Sequence, residues 1–277
     1  MTFKDLLEAR WRDADTMVCV GLDPELVKFP ESLRALPIHD ALLGFFKPII
    51  DATAEFACAF KPQIAHFAAL GAEAALVELI AYIRERHPAV PVILDSKRGD
   101  IGSTAGYYAV EAFERFNAHA VTVNPYLGSD GVEPFLAYAD RGVIVLCRTS
   151  NPSAGDFQDL QVEGKPLYAH VAAKAARDWN QGGQCALVVG ATWPQQLREV
   201  RELVGDAVPL LVPGVGAQGG NAADVVHNAA STNGYGLIIN SSRAILYASN
   251  GEDFASAAGQ AARTLRDEIR AARNSHA

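Results

Sequence analysis

The chain reads as an α/β protein, a single (β/α)8 TIM barrel over residues 1–277. Three observations predict it. Eight short apolar runs alternate with segments of helical period, and near-continuous apolar strands imply burial on both faces, as in a parallel sheet covered by helices. The polar and charged residues that interrupt these runs fall almost entirely at one end of each run. No GxGxxG follows the first run, which disfavours an open dinucleotide-binding sheet. A barrel of this kind typically takes about 250 residues, and 277 are present.

Residues 1–8 begin an amphipathic helix, and 16–20 form the first strand, followed by Gly21, Leu22 and Asp23. Residues 23–37, with Pro24, Pro30 and Pro37, make an irregular loop. The second strand, 57–60, ends at Lys61, and helical period runs over 65–86. The third, 90–94, delivers Asp95; a helix over 103–116 follows, with Ser103 as its cap. The fourth strand, 118–123, ends at Asn124, and 130–139 is helical. The fifth, 142–147, opens into Arg148, Thr149 and Ser150 at the head of 149–166, which lacks regular periodicity. Loops as long as 23–37 and 149–166 are usually lids or binding loops in a compact domain. Then come helix 168–180, strand 185–189, helix 195–204 and strand 208–212. A glycine-rich segment feeds a helix over 222–230 with Asn221 as its cap; the eighth strand, 234–239, delivers Asn240, Ser241, Ser242 and Arg243, and a last helix covers 252–273.

The residues are 49% hydrophobic and the net charge is −8, which argues against general affinity for nucleic acid or anionic membrane. An anionic substrate therefore needs a locally positive site. Cys19, Cys58, Cys147 and Cys185 are scattered in apolar runs without CxxC spacing, so neither a disulfide framework nor a zinc site is expected. No signal-peptide core and no stretch near the roughly 20 apolar residues of a membrane span is present, which predicts a cytoplasmic protein.

The densest chemistry lies between Asp95 and Asp100. Two carboxylates and two cations, Lys97 and Arg98 among them, fill six residues after a buried strand, with Gly99 and Gly102 bending the chain. Asp95 and Lys97 are two apart and share one pocket if the backbone stays extended. Charges that close bias each other's protonation, which is how acids and bases are prepared. Lys61 ends a buried strand, where an isolated charge is prohibitive, so it must meet Asp23 or Asp95. Gly214, Gly216, Gly219 and Gly220 at a helix start form a candidate anion cradle, to which Arg243 on the adjacent strand adds a bidentate fork. His66, His87, His119, His170 and His227 have no metal or triad spacing.

With Leu22-Asp23, Phe60-Lys61-Pro62, the run from Asp95 to Gly102, the run from Pro213 to Gly220 and Asn240 to Arg243, almost the whole chain resembles the orotidine 5′-phosphate decarboxylase family, in its longer bacterial branch. The resemblance implies conversion of orotidine 5′-monophosphate to uridine 5′-monophosphate and CO2 in de novo pyrimidine biosynthesis, with no metal and no organic cofactor. It implies Lys97 as proton donor to the pyrimidine carbon, Asp95 facing the departing carboxylate, and Lys61 and Asp100 completing the charged array. By the same match, Asp23 and Lys61 hold the ribose hydroxyls, and Asn124 falls on the ribose side. Ser150 contacts the pyrimidine, Gln218 and Arg243 bind phosphate, and Gly219 and Gly220 offer backbone donors. The family's site lies at a homodimer interface, so Asp100, Ile101 and Thr104 are expected to reach the partner's site. The nearest alternative is a metal-dependent sugar-phosphate decarboxylase or aldolase on the same barrel. Those relatives carry a glutamate where Lys61 stands, and an ammonium there repels a divalent cation. A non-enzymatic phosphate binder is the other alternative, which the complete Asp95, Lys97 and Asp100 set disfavours.

Overall fold

The computed structural model describes residues 1–216 and 219–275. Its strands are β1 (Val18–Leu22), β2 (Ala57–Pro62), β3 (Ile93–Arg98), β4 (Ala120–Val123), β5 (Gly142–Arg148), β6 (Gln161–Val162), β7 (Lys165–Pro166), β8 (Cys185–Val189), β9 (Leu210–Val212) and β10 (Leu237–Ser241). The helices are α1 (Phe3–Asp13), α2 (Glu31–Arg34), α3 (Ile38–Thr53), α4 (Ile64–Ala69), α5 (Glu73–Arg86), α6 (Gly102–Val110) and α7 (Glu133–Leu136). After them come α8 (Gly155–Gln158), α9 (Leu167–Lys174), α10 (Pro194–Val204), α11 (Ala222–Ala229), α12 (Arg243–Leu246) and α13 (Phe254–Asn274).

Eight of the strands form one parallel sheet in the order β2-β1-β10-β9-β8-β5-β4-β3. Bridges from Phe60 to Val92 and from Gln63 to Asp95 bring its two edges together, so the sheet curls into the expected (β/α)8 barrel. Most strand residues are fully buried, which is why the apolar runs show no polar alternation. α1 packs Phe3, Leu7 and Trp11 into the core, and the Trp11 indole donates to Leu237 O at 2.9 Å.

Several bounds move relative to the sequence reading, mostly in one direction. β1, β2, β3 and β10 continue past their apolar runs to Leu22, Pro62, Arg98 and Ser241. Lys61, Asp95, Lys97 and Asn240 are therefore strand residues, not loop residues. Hydropathy marks where the apolar interior stops; backbone pairing goes on into the polar mouth. The span 65–86 is two helices, α4 and α5, separated at Gly71 (φ +62°). Ser103 is the second residue of α6 rather than its cap, because the chain enters the helix at Ile101. Asn221 does cap α11, accepting from Ala223 N and Asp224 N. The 23–37 loop contains a 3-10 turn and α2, and 149–166 folds into α8 and the β6–β7 hairpin.

Pairing is irregular at the site end of the barrel. The β3–β4 register shifts between Leu94 and Arg98, and the β5–β8 register between Leu146 and Arg148. Such bulges re-aim side chains. In the first of them Lys97 adopts a left-handed backbone, φ +49°, which is uncommon for a residue with a Cβ.

Candidate active site

A cavity of about 650 Å³ opens at the carboxyl ends of the strands, the end where such barrels keep their sites. β2, β3 and β4 contribute Lys61, Asp95, Lys97 and Thr122, while Asp23 and Glu25 come from the first loop and His66 from α4. The segment after β5 supplies Thr149, Ser150, Asn151 and Gln158, β10 supplies Asn240, and Ser242 and Arg243 follow at the start of α12. Leu146, Val188, Leu211, Pro213 and Val215 form an apolar wall.

Asp95 is the hub. Its Oδ2 accepts from Lys61 Nζ at 2.8 Å, and its Oδ1 accepts from Lys97 Nζ at 2.5 Å and from Thr122 Oγ1 at 2.9 Å. Burial alone would push this carboxyl up, but the charges of Lys61 and Lys97 and their hydrogen bonds outweigh it and hold the group ionised well below the usual carboxylate range. Lys61 shows the mirror image: burial works against its charge, yet Asp95 and Asp23 keep the ammonium above its ordinary value. Lys61 and Asp95 are almost sealed, with 5% and 9% of their side chains exposed, whereas Lys97 is 44% exposed. One ammonium is thus fixed at the base of the array and the other faces the cavity.

Other polar atoms await a partner. Among the described residues, Asp23 Oδ1 and Asn240 Oδ1 are buried with no hydrogen bond. Unpaired buried oxygens are costly, and two of them on one cavity are what a hydroxyl-bearing ligand would satisfy. Arg243 is exposed at the start of α12, a four-residue helix after the eighth barrel strand with no side-chain cap. His66 places Nδ1 3.0 Å from Pro24 O, tying α4 to the first loop.

The segment after β5 is held from beneath. Arg148, the last residue of β5, is fully buried, and its guanidinium lies 2.9 Å and 3.0 Å from the two carboxylate oxygens of Asp159. It also stacks 4.3 Å over the Trp193 ring. This fork pins the C-terminal end of α8, so that Gln158 exchanges hydrogen bonds with Thr149 N and Thr149 Oγ1 beside Ser150. Gly190 is required next to them, because a Cβ there would come within 2.7 Å of the Ser150 backbone.

Of the residues singled out in the sequence, Asp23, Lys61, Asp95, Lys97, Ser150 and Arg243 meet on this cavity. Asp100, Ile101 and Thr104 do not line it. They sit around the start of α6, where Asp100 Oδ1 accepts from Ile101 N. Asn124 is exposed outside the cavity, and its side chain is used to cap the turn at Tyr126. Gln218 lies outside the described residues. In the glycine segment Gly219 N donates to Gly216 O and Gly220 N to Gly214 O. The first turn of α11 is likewise closed by Asn221. A tight glycine turn and an anion cradle share one composition; only the hydrogen-bond directions separate them. The sequence reading gave no role to Thr122, His66, Asn240 or Gln158. Thr122 does carry a signal, a lone hydroxyl in an otherwise apolar strand between Val121 and Val123.

Along almost its whole length the chain is similar to known proteins. The family model described as orotidine 5′-phosphate decarboxylase / HUMPS family matches residues 16–258. The orotidine 5′-phosphate decarboxylase of Janthinobacterium sp. (strain Marseille) is 60% identical over 269 residues, covering 97% of this chain and 98% of that protein. That of Bordetella pertussis is 58% identical over 274 residues, 99% of this chain and all of that protein. Among solved structures, Leishmania donovani OMP decarboxylase superposes with a TM-score of 0.85 at 39% identity, covering 99% of each chain. Leishmania donovani UMP synthase gives 0.87 at 41% identity; there the match covers 98% of this chain but only 56% of that longer one.

Proposed function

The chain belongs to the orotidine 5′-phosphate decarboxylase / HUMPS family, and from that premise we propose how its cavity divides the work of turning orotidine 5′-monophosphate into uridine 5′-monophosphate and CO2. The activity follows from relatives near 60% identity that span the whole chain. The roles of individual residues are our reading.

Loss of CO2 leaves an electron pair on a ring carbon with no conjugated sink. Without a cofactor to take it up, that charge must be met by groups already in place. Lys97 is the group for this: its ammonium faces the cavity, and Asp95 at 2.5 Å fixes its position. It stabilises the developing carbanion and then transfers a proton from Nζ to that carbon. Asp95 faces the substrate carboxylate, and its negative charge opposes the bound ground state and is relieved as neutral CO2 departs. Lys61 keeps Asp95 ionised in a nearly sealed position. The Lys61–Asp95–Lys97 array is the observation that carries this reading.

The rest of the nucleotide follows the cavity wall. Asp23, with its unpaired Oδ1, and Lys61 take the ribose hydroxyls. Ser150 reaches the pyrimidine. Arg243, at the uncapped start of α12, takes the phosphate together with Gln218. Binding energy from that distant phosphate is available to order the segment 149–166 over the substrate.

The array as it stands lacks Asp100. We place it across a homodimer interface, with Ile101 and Thr104, in the partner's cavity. Exposed large apolar side chains on α6, on the segment before it and after β4 support that arrangement: Tyr107 and Tyr126 are 75% and 82% exposed, and Ile101 and Leu127 are exposed as well.

The ultraviolet absorbance of orotidine monophosphate tests the central role. The wild-type protein should change that spectrum on incubation. Lys97→Ala should leave it unchanged while still binding uridine monophosphate. Turnover by Lys97→Ala would remove Lys97 as the proton donor.

A further inference from the structure

We propose that Thr122 is the positioning residue that fixes both the aim of Lys97 and the orientation of the Asp95 carboxylate. The inference deepens the reading of the cavity given above and rests on Lys97 being the proton donor. Thr122 lies on β4 and is 1% exposed. A hydroxyl offers one donor and two acceptor positions, and Thr122 Oγ1 has filled all three. It accepts from Ser96 N at 3.0 Å and from Lys97 N at 2.9 Å, and it donates to Asp95 Oδ1 at 2.9 Å. Both contacts from the backbone are N–H donors, so they leave the hydroxyl hydrogen one destination, the Asp95 carboxylate.

The backbone explains why a side chain is needed here. In a regular parallel ladder the N–H groups of β3 would find carbonyls of β4. The register breaks between Leu94 and Arg98, and Lys97 sits there with φ +49°. A left-handed residue of this kind persists only where its surroundings over-determine it. Thr122 supplies that constraint by taking the two N–H groups the broken ladder leaves over. The same oxygen therefore holds the backbone from which Lys97 springs and the carboxylate oxygen, Asp95 Oδ1, that Lys97 Nζ reaches. It acts through those two residues.

The test compares Thr122→Val, nearly isosteric but without the hydroxyl, with Thr122→Ser, which restores it. Kinetics with orotidine monophosphate and binding of uridine monophosphate are measured on both, with Lys97→Ala in parallel. Misplacing a reacting group by about 1 Å costs on the order of 100-fold. Thr122→Val should accordingly lose at least about tenfold in kcat, with KM and uridine monophosphate affinity within about threefold of wild type. Thr122→Ser should recover kcat to within about threefold. A kcat for Thr122→Val near wild type, an equal loss in Thr122→Ser, or a loss confined to KM overturns the inference. If Thr122→Val does not fold, Thr122→Cys, with its weaker donor, takes its place, and a wild-type kcat there overturns it equally. An active Lys97→Ala would instead mean that the reading of the cavity had failed. An inactive Lys97→Ala beside an unimpaired Thr122→Val would sink the role of Thr122 alone.

Discussion

Replacing Lys61 with methionine tests whether the base of the array is an ion pair that cannot be halved. Lys61 Nζ and Asp95 Oδ2 are 2.8 Å apart, and neither side chain is more than 9% exposed. At an effective dielectric of about 20 their attraction is about 6 kcal/mol, which largely offsets the several kcal/mol each ion loses on leaving water. The pair as a whole therefore adds little net stability. Removing one member is different: Asp95 Oδ2 loses its partner and only Lys97 and Thr122 remain, on Oδ1, so we expect Lys61→Met to cost about 3 kcal/mol, the low end for halving a buried pair, in urea unfolding near pH 7.5. The pH dependence follows from the two perturbed groups. Asp95, held below its ordinary value, contributes stability that is present above the unfolded carboxylate pKa of about 3.9 and lost as pH falls through the lower folded value. Lys61, held above its ordinary value, contributes stability complete below about 10.4 and lost as pH rises through the higher folded value. Once Lys61 is gone, burial pushes the Asp95 pKa up from its low folded value while Lys97 still holds it down, so protonation in acid relieves part of the deficit. The deficit should therefore shrink as pH falls from 7.5 toward the carboxylate range. Combining Lys61→Met with Asp95→Asn should return much of the loss, for a coupling energy of about 2 kcal/mol or more. A deficit below about 1 kcal/mol, or one that is flat over that pH range, would refute the reasoning.

Mixing two inactive variants tests the proposed sharing of the site between two copies of the chain. If Asp100 crosses the interface, a hybrid of Lys97→Ala and Asp100→Ala chains keeps one intact cavity, so an equimolar mixture that has exchanged subunits should regain about a quarter of wild-type activity. No recovery after proven subunit exchange would place Asp100 in its own chain's cavity. Asp159→Ala should leave the buried Arg148 guanidinium without its carboxylate and cost about 1–3 kcal/mol, less than a sealed pair because Asp159 is half exposed. It should also raise KM for the nucleotide by loosening Gln158 and Ser150, and steady-state kinetics showing an unchanged KM would contradict the anchoring role.

The barrel was legible because burial on both faces strips the strands of polar alternation, and β5 and β8 start or end where their apolar runs do. The strand ends that carry chemistry were harder. Asp95, Lys97 and Asn240 are polar, so hydropathy assigns them to loops, although the backbone keeps pairing through them. The break at Gly71 was hidden because apolar period continues on both sides of it. The charged array was visible as a spacing, Asp95 to Lys97 to Asp100, with Lys61 at a neighbouring strand end. What orients it was not, because Thr122 joins it only through a register shift between β3 and β4, and no local pattern encodes a shift between strands. The hydrogen bonds of the glycine turn were hidden for a related reason: residue type shows that a backbone can bend, not which way its N–H groups point.

The four thiols offer an experimental convenience. Cys19, Cys58, Cys147 and Cys185 are all free and all buried, and burial raises each above the usual thiol value, Cys19, Cys147 and Cys185 to about 12. At neutral pH almost none of them is thiolate, the form that reacts with maleimides and methanethiosulfonates. The native chain is thus a silent background for labelling. A single cysteine introduced at Tyr126 would be the one position to take up a spin label or fluorophore, so burial of that exposed surface can be followed without first stripping the natural cysteines.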